Sequence, residues 1–196
     1  IGLVKDTEAI VLKTLTGAQD YYPAVYGGAS ALWWERLHPR REVLEVNAAA
    51  FEKNFILAYS HQPHRSGSNN WAVVKRFLDG DRATQQALEQ IGLIAFRMRE
   101  ALAASDLHQA SHLLGQEWEA RRHLAPEVSS PELETLIAAA SEAGAIASKA
   151  CGAGGGGCLV IATSPERSTH VQSAVEEAGG SILKYHIAAK GMTIST

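Results

Sequence analysis

Lys149-Ala150-Cys151-Gly152-Ala153-Gly154-Gly155-Gly156-Gly157-Cys158-Leu159-Val160-Ile161 is the stretch on which the fold turns. Its glycines remove the Cβ atoms that would hold a ligand away and permit positive φ, at an entropic cost to folding. Consecutive backbone N–H groups in such a loop can turn inward as an anion nest. Gly152, Gly154 and Gly157 also satisfy GxGxxG, but the dinucleotide fingerprint requires the glycines to open a helix, and here the apolar run from Cys158 predicts a strand. A Walker A loop is excluded because the chain contains no Gly-Lys dipeptide. Residues 146–163 therefore read as strand, tight loop, strand. A glycine hairpin that only lets two elements pack closely is the alternative reading.

Working outward, Ser164-Pro165-Glu166 is a helix start and Ala178-Gly179-Gly180 a helix stop, after which residues 181–187 and 192–194 are strand-like. Upstream, Ser130-Pro131-Glu132 supplies an N-cap, a proline at the first helical position and an acid in the first turn. Apolar stripes on Leu88, Ile91, Ile94, Ala95, Met98 and Leu102, and on Leu107, Ala110, Leu114 and Trp118, predict two further helices, the first capped by Asp81. Trp71, Val74, Phe77 and Leu78 give another helical face. Residues 60–70 are rich in turn formers and predict a loop, whereas residues 29–35, 42–46 and 53–59, broken by His38-Pro39 and Asn47, suit strands. The first segment, with Leu3, Ala9, Ile10 and Leu12, has helical spacing. From Lys53 onward the order is strand, helices, strand, strand, helix, strand, which predicts an α+β sandwich with helices on one face of a mainly antiparallel sheet.

The chain has 196 residues, 46% hydrophobic and 20% charged, with 18 Lys plus Arg against 21 Asp plus Glu and a net charge of −3. That composition is globular, and its sign argues against nucleic-acid or anionic-membrane binding through bulk charge. No apolar run approaches the length of about 18 residues that spans a bilayer, and no secretory leader is recognisable. Two cysteines are too few for a disulfide framework and fit no zinc spacing, so Cys151 and Cys158 read as small apolar residues beside the loop and a reducing cytoplasm is the expected location.

Thr16-Gly17-Ala18-Gln19-Asp20-Tyr21-Tyr22-Pro23-Ala24-Val25-Tyr26-Gly27-Gly28 is the second informative stretch. An acid between turn-prone segments can orient a hydroxyl or accept its proton. Asp20 can equally cap a short helix beginning at Tyr21.

Together, the run Lys149 to Leu159 and the segment Gly17-Ala18-Gln19-Asp20, with Ala24, Gly27 and Gly28 downstream, resemble the GHMP kinases, the family of galactokinase, homoserine kinase, mevalonate kinase and phosphomevalonate kinase. The Gln-Asp form is most similar to the branch acting on D-glycero-D-manno-heptose 7-phosphate. The resemblance implies a ferredoxin-like α/β sandwich, the family's C-terminal domain, over residues 51–196, preceded in residues 1–50 by the tail of a truncated N-terminal α+β domain. It implies transfer of the ATP γ-phosphoryl to a hydroxyl of a sugar or sugar phosphate, with Mg²⁺. By the same analogy Asp20 is the catalytic carboxylate. Gly152, Ala153, Gly154, Gly155 and Gly156 line the cleft near the phosphates, while Gln19, Tyr21 and Arg65 contact substrate. The family's Pro-x-x-x-Gly-Leu-Gly-Ser-Ser loop has no counterpart in these residues. It is expected upstream of Ile1, which would leave a chain confined to these residues inactive.

The remaining candidates are weaker. Arg65, in the loop with His61 and His64, could form a fork with a phosphate or hydroxyls, although an exposed arginine is commoner. His108 and His112 are four apart on a helix and could share a metal, but lack a third ligand, so no metal site is predicted. Arg121, Arg122 and His123 suit a helix C-terminus. Trp33, Trp34, Trp71 and Trp118 read as packing residues, with Trp33 or Trp34 able to stack on sugar. The partner implied is a small molecule, with homodimerisation left open. Galactose-, fucose- or mevalonate-type acceptors are alternatives, as is a non-catalytic binding or dimerising module, since fold alone fixes no activity.

Overall fold

The computed structural model describes residues 1–13, 16–35, 39–63 and 66–194, without the side chains of residues 66–69. In chain order the elements are α1 (Gly2–Leu12), α2 (Tyr21–Tyr26), β1 (Ala29–Trp33), β2 (Arg40–Leu44), α3 (Ala48–Asn54), β3 (Phe55–Tyr59), α4 (Ser66–Leu78), α5 (Arg82–Ala103), α6 (Leu107–Arg122), α7 (Pro131–Glu142), β4 (Ala147–Ala150), β5 (Cys158–Ala162), α8 (Ser168–Glu177) and β6 (Ser181–Leu183). One 3-10 turn, Pro126–Val128, precedes α7.

Two antiparallel sheets form. The hairpin β1–β2 stands alone, and the second sheet has the order β4-β5-β3-β6 with every pair antiparallel. Helices α4 to α7 lie in sequence between β3 and β4, and α8 lies between β5 and β6. This is the β-α-β-β-α-β order of a ferredoxin-like sandwich, as the sequence predicts. Ile56, Ala58, Ala150, Leu159 and Ile161 on the sheet pack with Trp118, Leu133, Leu136, Val171 and Val175 in the main core. Ile94, Ala101, Ala110, Leu113 and Ala120 form a second core between α5 and α6.

The helix starts behave as capping chemistry dictates at two of the three signals. Thr84 N donates to Asp81 Oδ1 at 2.9 Å, and Leu133 N donates to Ser130 Oγ at 3.3 Å. At the third, Ser164-Pro165-Glu166 forms a turn and α8 begins at Ser168 behind Arg167, which makes no side-chain cap.

Four further expectations are corrected. Lys53 and Asn54 are helical, because Asn47 Oδ1 accepts from Ala50 N and starts α3 where the sequence suggested only a break. The loop predicted for residues 60–70 ends at Pro63 among the described residues, with α4 running from Ser66. Beyond Leu183 the chain leaves the sheet, so residues 184–187 and 192–194 are not strand. Trp118 is buried and Trp33 half-buried, but Trp34 and Trp71 are 61% and 53% exposed and are not packing residues.

Helix α1 has no buried residue, and no described helix is long and apolar enough to cross a membrane.

Leu133 is fully buried in the main core. Leu133→Ala is expected to lower unfolding stability by about 2–5 kcal/mol, read as a drop in the denaturant midpoint at unchanged slope.

Candidate active site

The β4–β5 hairpin presents the glycine loop, residues 151–157, and its amides have specific uses. Cys151 N donates to Cys158 O at 2.8 Å, closing the mouth of the hairpin. Gly155 N donates to Val128 O at 2.7 Å, and Gly157 N donates to Gln62 O at 2.8 Å. Ser60 returns two bonds to Gly157 O, from its amide at 2.9 Å and its hydroxyl at 2.8 Å. The loop is thereby fastened to the segment after β3 and to the 3-10 turn before α7.

Gly154 shows why a side chain is not tolerated there. Its φ is +76°, and an added Cβ would lie 2.2 Å from Val128 O. Amides committed to chain carbonyls are unavailable to an anion, so among the described residues those of Gly152, Ala153 and Gly156 remain without a hydrogen bond.

Asp20 occupies the N-cap position of α2 but makes no side-chain cap. Its carboxylate is exposed and, among the described residues, unpartnered. Gln19 and Tyr22 line a cavity of about 730 Å³ with Lys5, Thr16, Gly17 and Trp34. The exposed Trp34 thus stands beside the Asp20 segment. Tyr21 is half-buried, its hydroxyl buried without a hydrogen-bond partner among the described residues. This cavity does not extend to the glycine loop, whose described contacts run to Gln62, Pro63 and Val128. Arg65 and His64 lie outside the described residues.

The chain after β6 links the Asp20 segment to the sheet. Tyr185 donates its hydroxyl to Phe55 O at 2.9 Å, and Ile187 N donates to Glu52 Oε1 at 2.7 Å. Further on, Gly28 N donates to Ala188 O at 2.7 Å and Met192 N to Ala24 O at 3.0 Å. Gly27, with φ +69°, would place a Cβ 2.4 Å from the Lys190 carbonyl carbon, so α2 can accept this strap only with glycine there. Burial works to raise the Glu52 carboxyl, but the Ile187 amide first, and His186 second, outweigh it and hold it below the usual carboxylate range.

Sequence reasoning missed the charge cluster beneath the loop. Lys149 on β4 meets Glu117 of α6 at 2.5 Å, and Arg121 meets the same carboxylate at 2.5 Å. Glu117 is only 8% exposed. Burial raises its carboxyl, yet the Arg121 hydrogen bond and the Lys149 charge prevail and leave it lowered; Lys149 is pushed down by burial, with Glu117 opposing. A glutamate adjoining Trp118 on a buried helix face, and a lysine between two small strand residues, were the available signals. A second bridge joins the hairpin to α5: Glu42 accepts from Trp33 Nε1 at 2.9 Å and from Arg99, which lowers the Glu42 carboxyl.

His108 and His112 are exposed, their Nε2 atoms 3.3 Å apart. Among the described residues no group of three or more His, Cys, Asp or Glu side chains is placed to hold a metal.

Residues 98–181 match the family model described as GHMP kinases C terminal. This segment is a GHMP kinase C-terminal domain. Over 195 residues, 97% of the chain, it and its flanks are 25% identical to a D-glycero-alpha-D-manno-heptose 7-phosphate kinase of Campylobacter jejuni, covering 57% of that protein. Over 67 residues, 34% of the chain, identity to the mevalonate kinase of Thermococcus sibiricus is 42%, covering 20% of it. The structure of a D-glycero-D-manno-heptose 1-phosphate kinase from Bacteriodes thetaiotaomicron shares the fold, with a TM-score of 0.68 at 20% identity over 99% of this chain and 54% of that one. The chain thus spans little more than half the length of the relatives it matches end to end. Within the GHMP kinase C-terminal domain lie the glycine loop and the Glu117–Lys149 pair, whereas the Asp20 segment precedes it.

Removing one member of a buried ion pair strands the other. Glu117→Ala is expected to cost about 3–5 kcal/mol of stability, measured by denaturant unfolding at neutral pH. Because the folded Glu117 carboxyl is lowered, its contribution is complete above the unfolded pKa of about 4.3 and is lost as pH falls through the folded value. The acid limb of the stability profile is therefore expected to be shallower in Glu117→Gln than in the wild type.

Proposed function

We propose that the protein transfers the γ-phosphoryl group of ATP to a hydroxyl of a sugar or sugar phosphate, with a heptose 7-phosphate as the preferred acceptor class. The observation that carries this reading is the Asp20 carboxylate, exposed and not consumed as a helix cap, in a segment included in the end-to-end likeness to a heptose 7-phosphate kinase. Phosphoryl transfer asks the protein mainly to position groups and to neutralise charge. A carboxylate kept free of protein partners can accept or orient the acceptor hydroxyl, and the strap that holds α2 to β3 supplies the fixed geometry such a role requires.

The glycine loop serves in this reading as the buttress of the phosphate cleft. Gly152, Ala153 and Gly156 retain amides able to face phosphate oxygens, while Gly154 and its neighbours hold the backbone close to Val128. Gln19, Tyr21 and Arg65 are the proposed substrate contacts, and Trp34 lines the same cavity as Gln19. Mg²⁺ carried by nucleotide phosphates needs only one or two protein carboxylates, a demand that the exposed Asp20 fits. When bound, Mg²⁺ would neutralise developing phosphate charge. Residues 1–50 are proposed to belong to a preceding unit that bears Asp20, and residues 51–196 to the sandwich.

A mevalonate-type alcohol is the second reading, favoured by the 42% identity to the mevalonate kinase of Thermococcus sibiricus. The heptose reading is preferred because its likeness covers 97% of the chain, against 34%.

Asp20→Asn in the full-length protein tests the assignment. Turnover of heptose 7-phosphate is expected to fall by about 10²–10⁴-fold with acceptor binding retained in calorimetry. Unchanged turnover would remove Asp20 from the chemistry, and a preference for mevalonate over sugars would select the second reading.

A further inference from the structure

Cys151 and Cys158 face each other across the mouth of the glycine loop. The pairing of β4 with β5 runs from Ala147↔Ala162 to Ala150↔Leu159, so the next rung sets Cys151 directly opposite Cys158. The hydrogen bond from Cys151 N to Cys158 O occupies that rung. Opposed residues of an antiparallel pair project to the same side of the sheet. Ala150 and Leu159 are fully buried against the core. One position further along each strand, Cys151 and Cys158 project to the other face, in the row of Tyr59, which flanks Cys158 on its far side. Both cysteines are free and half-buried. Opposed residues in hydrogen-bonded register have Cα atoms about 5.5 Å apart, within the span of about 4.4–6.8 Å that a disulfide bridges. Burial first, and the neighbouring Cys158 second, hold the Cys151 thiol above its ordinary range.

We propose that Cys151 and Cys158 are a thiol–disulfide exchange site, a dithiol that reacts with a small-molecule disulfide and closes a reversible cross-link over the mouth of the loop. One cysteine, as thiolate, attacks a sulfur of the small disulfide and expels one thiol, leaving a mixed disulfide on the chain. The opposed cysteine then attacks the protein sulfur of that adduct and expels the second thiol. One S–S bond breaks in the reagent and one forms in the chain. The cysteines lose two electrons, the reagent gains them, and the two cysteine protons pass through solvent to the expelled thiols. Because the second attack is between neighbours held by the ladder, it outruns capture of another reagent molecule. The inference stands apart from the kinase reading, since it concerns only the geometry of the hairpin.

The test uses the native chain and oxidised glutathione, followed by alkylation of remaining thiols and mass measurement. The expected product has lost both free thiols and two hydrogens and retains no glutathione, and dithiothreitol restores both thiols. Cys151→Ser and Cys158→Ser are each expected to retain one glutathione. The proposal is overturned if the wild-type chain retains glutathione, forms disulfide-linked dimers, or keeps both thiols free under conditions that oxidise them in the unfolded chain.

Discussion

The bonds from Gly155 N to Val128 O and from Gly157 N to Gln62 O are the constraint around which the sandwich is arranged. They fasten one hairpin loop to two segments far apart in sequence, the exit of β3 and the turn that leads into α7. A backbone can approach another backbone this closely only where the Cβ is missing, which is why Val128 O sits against Gly154. The seven-residue connection between β4 and β5 is thereby fastened to the body of the sandwich at two points. Its remaining amides keep their positions because the others are already committed.

The same logic governs the Asp20 segment. Asp20 is carried by a helix of only six residues, too short to be stable by itself. Its position comes from the chain after β6, which bonds to Glu52 and Phe55 near the sheet and then to Ala24 and Gly28 around α2. The strap is therefore the physical link between the acid and the sandwich. The Trp33–Glu42–Arg99 bridge gives a second attachment, from the β1–β2 hairpin to α5.

Beneath the loop, Glu117 serves two cations at once. Lys149 and Arg121 both lose water on burial, and the carboxylate between them offsets part of that cost. The arrangement joins α6 to the strand that leads into the loop, so packing of the long helices and placement of the glycines are coupled through one charged contact. Gly115 supports the same approach, since a Cβ there would meet the Ala147 methyl at 3.1 Å.

Much of this was legible in the residues alone. Local rules operate over a few positions: Asp81 and Ser130 cap their helices, Gly179 ends α8, and an apolar run after a glycine loop makes a strand. The order of elements then restricts the topology to few choices, and the motif from Lys149 to Leu159 pointed to the family. What could not be read locally depends on partners distant in sequence. Asn47 looked like a break until its side chain closed onto Ala50, and the segment after Leu183 looked like strand although its amides are bonded to Glu52 and Ala24. Trp34 and Trp71 resemble core residues by type, yet they are exposed. The neighbours of Lys149 and Glu117 hint that each is buried but not that they pair, because a buried charge is tolerated only where the fold brings its counter-ion, and that distance is set by how α6 crosses β4. Periodicity, caps and glycines determined the elements; hydrogen bonds and charges between remote segments, whose cost of ordering only the closed fold can offset, decided where the acid and the loop stand.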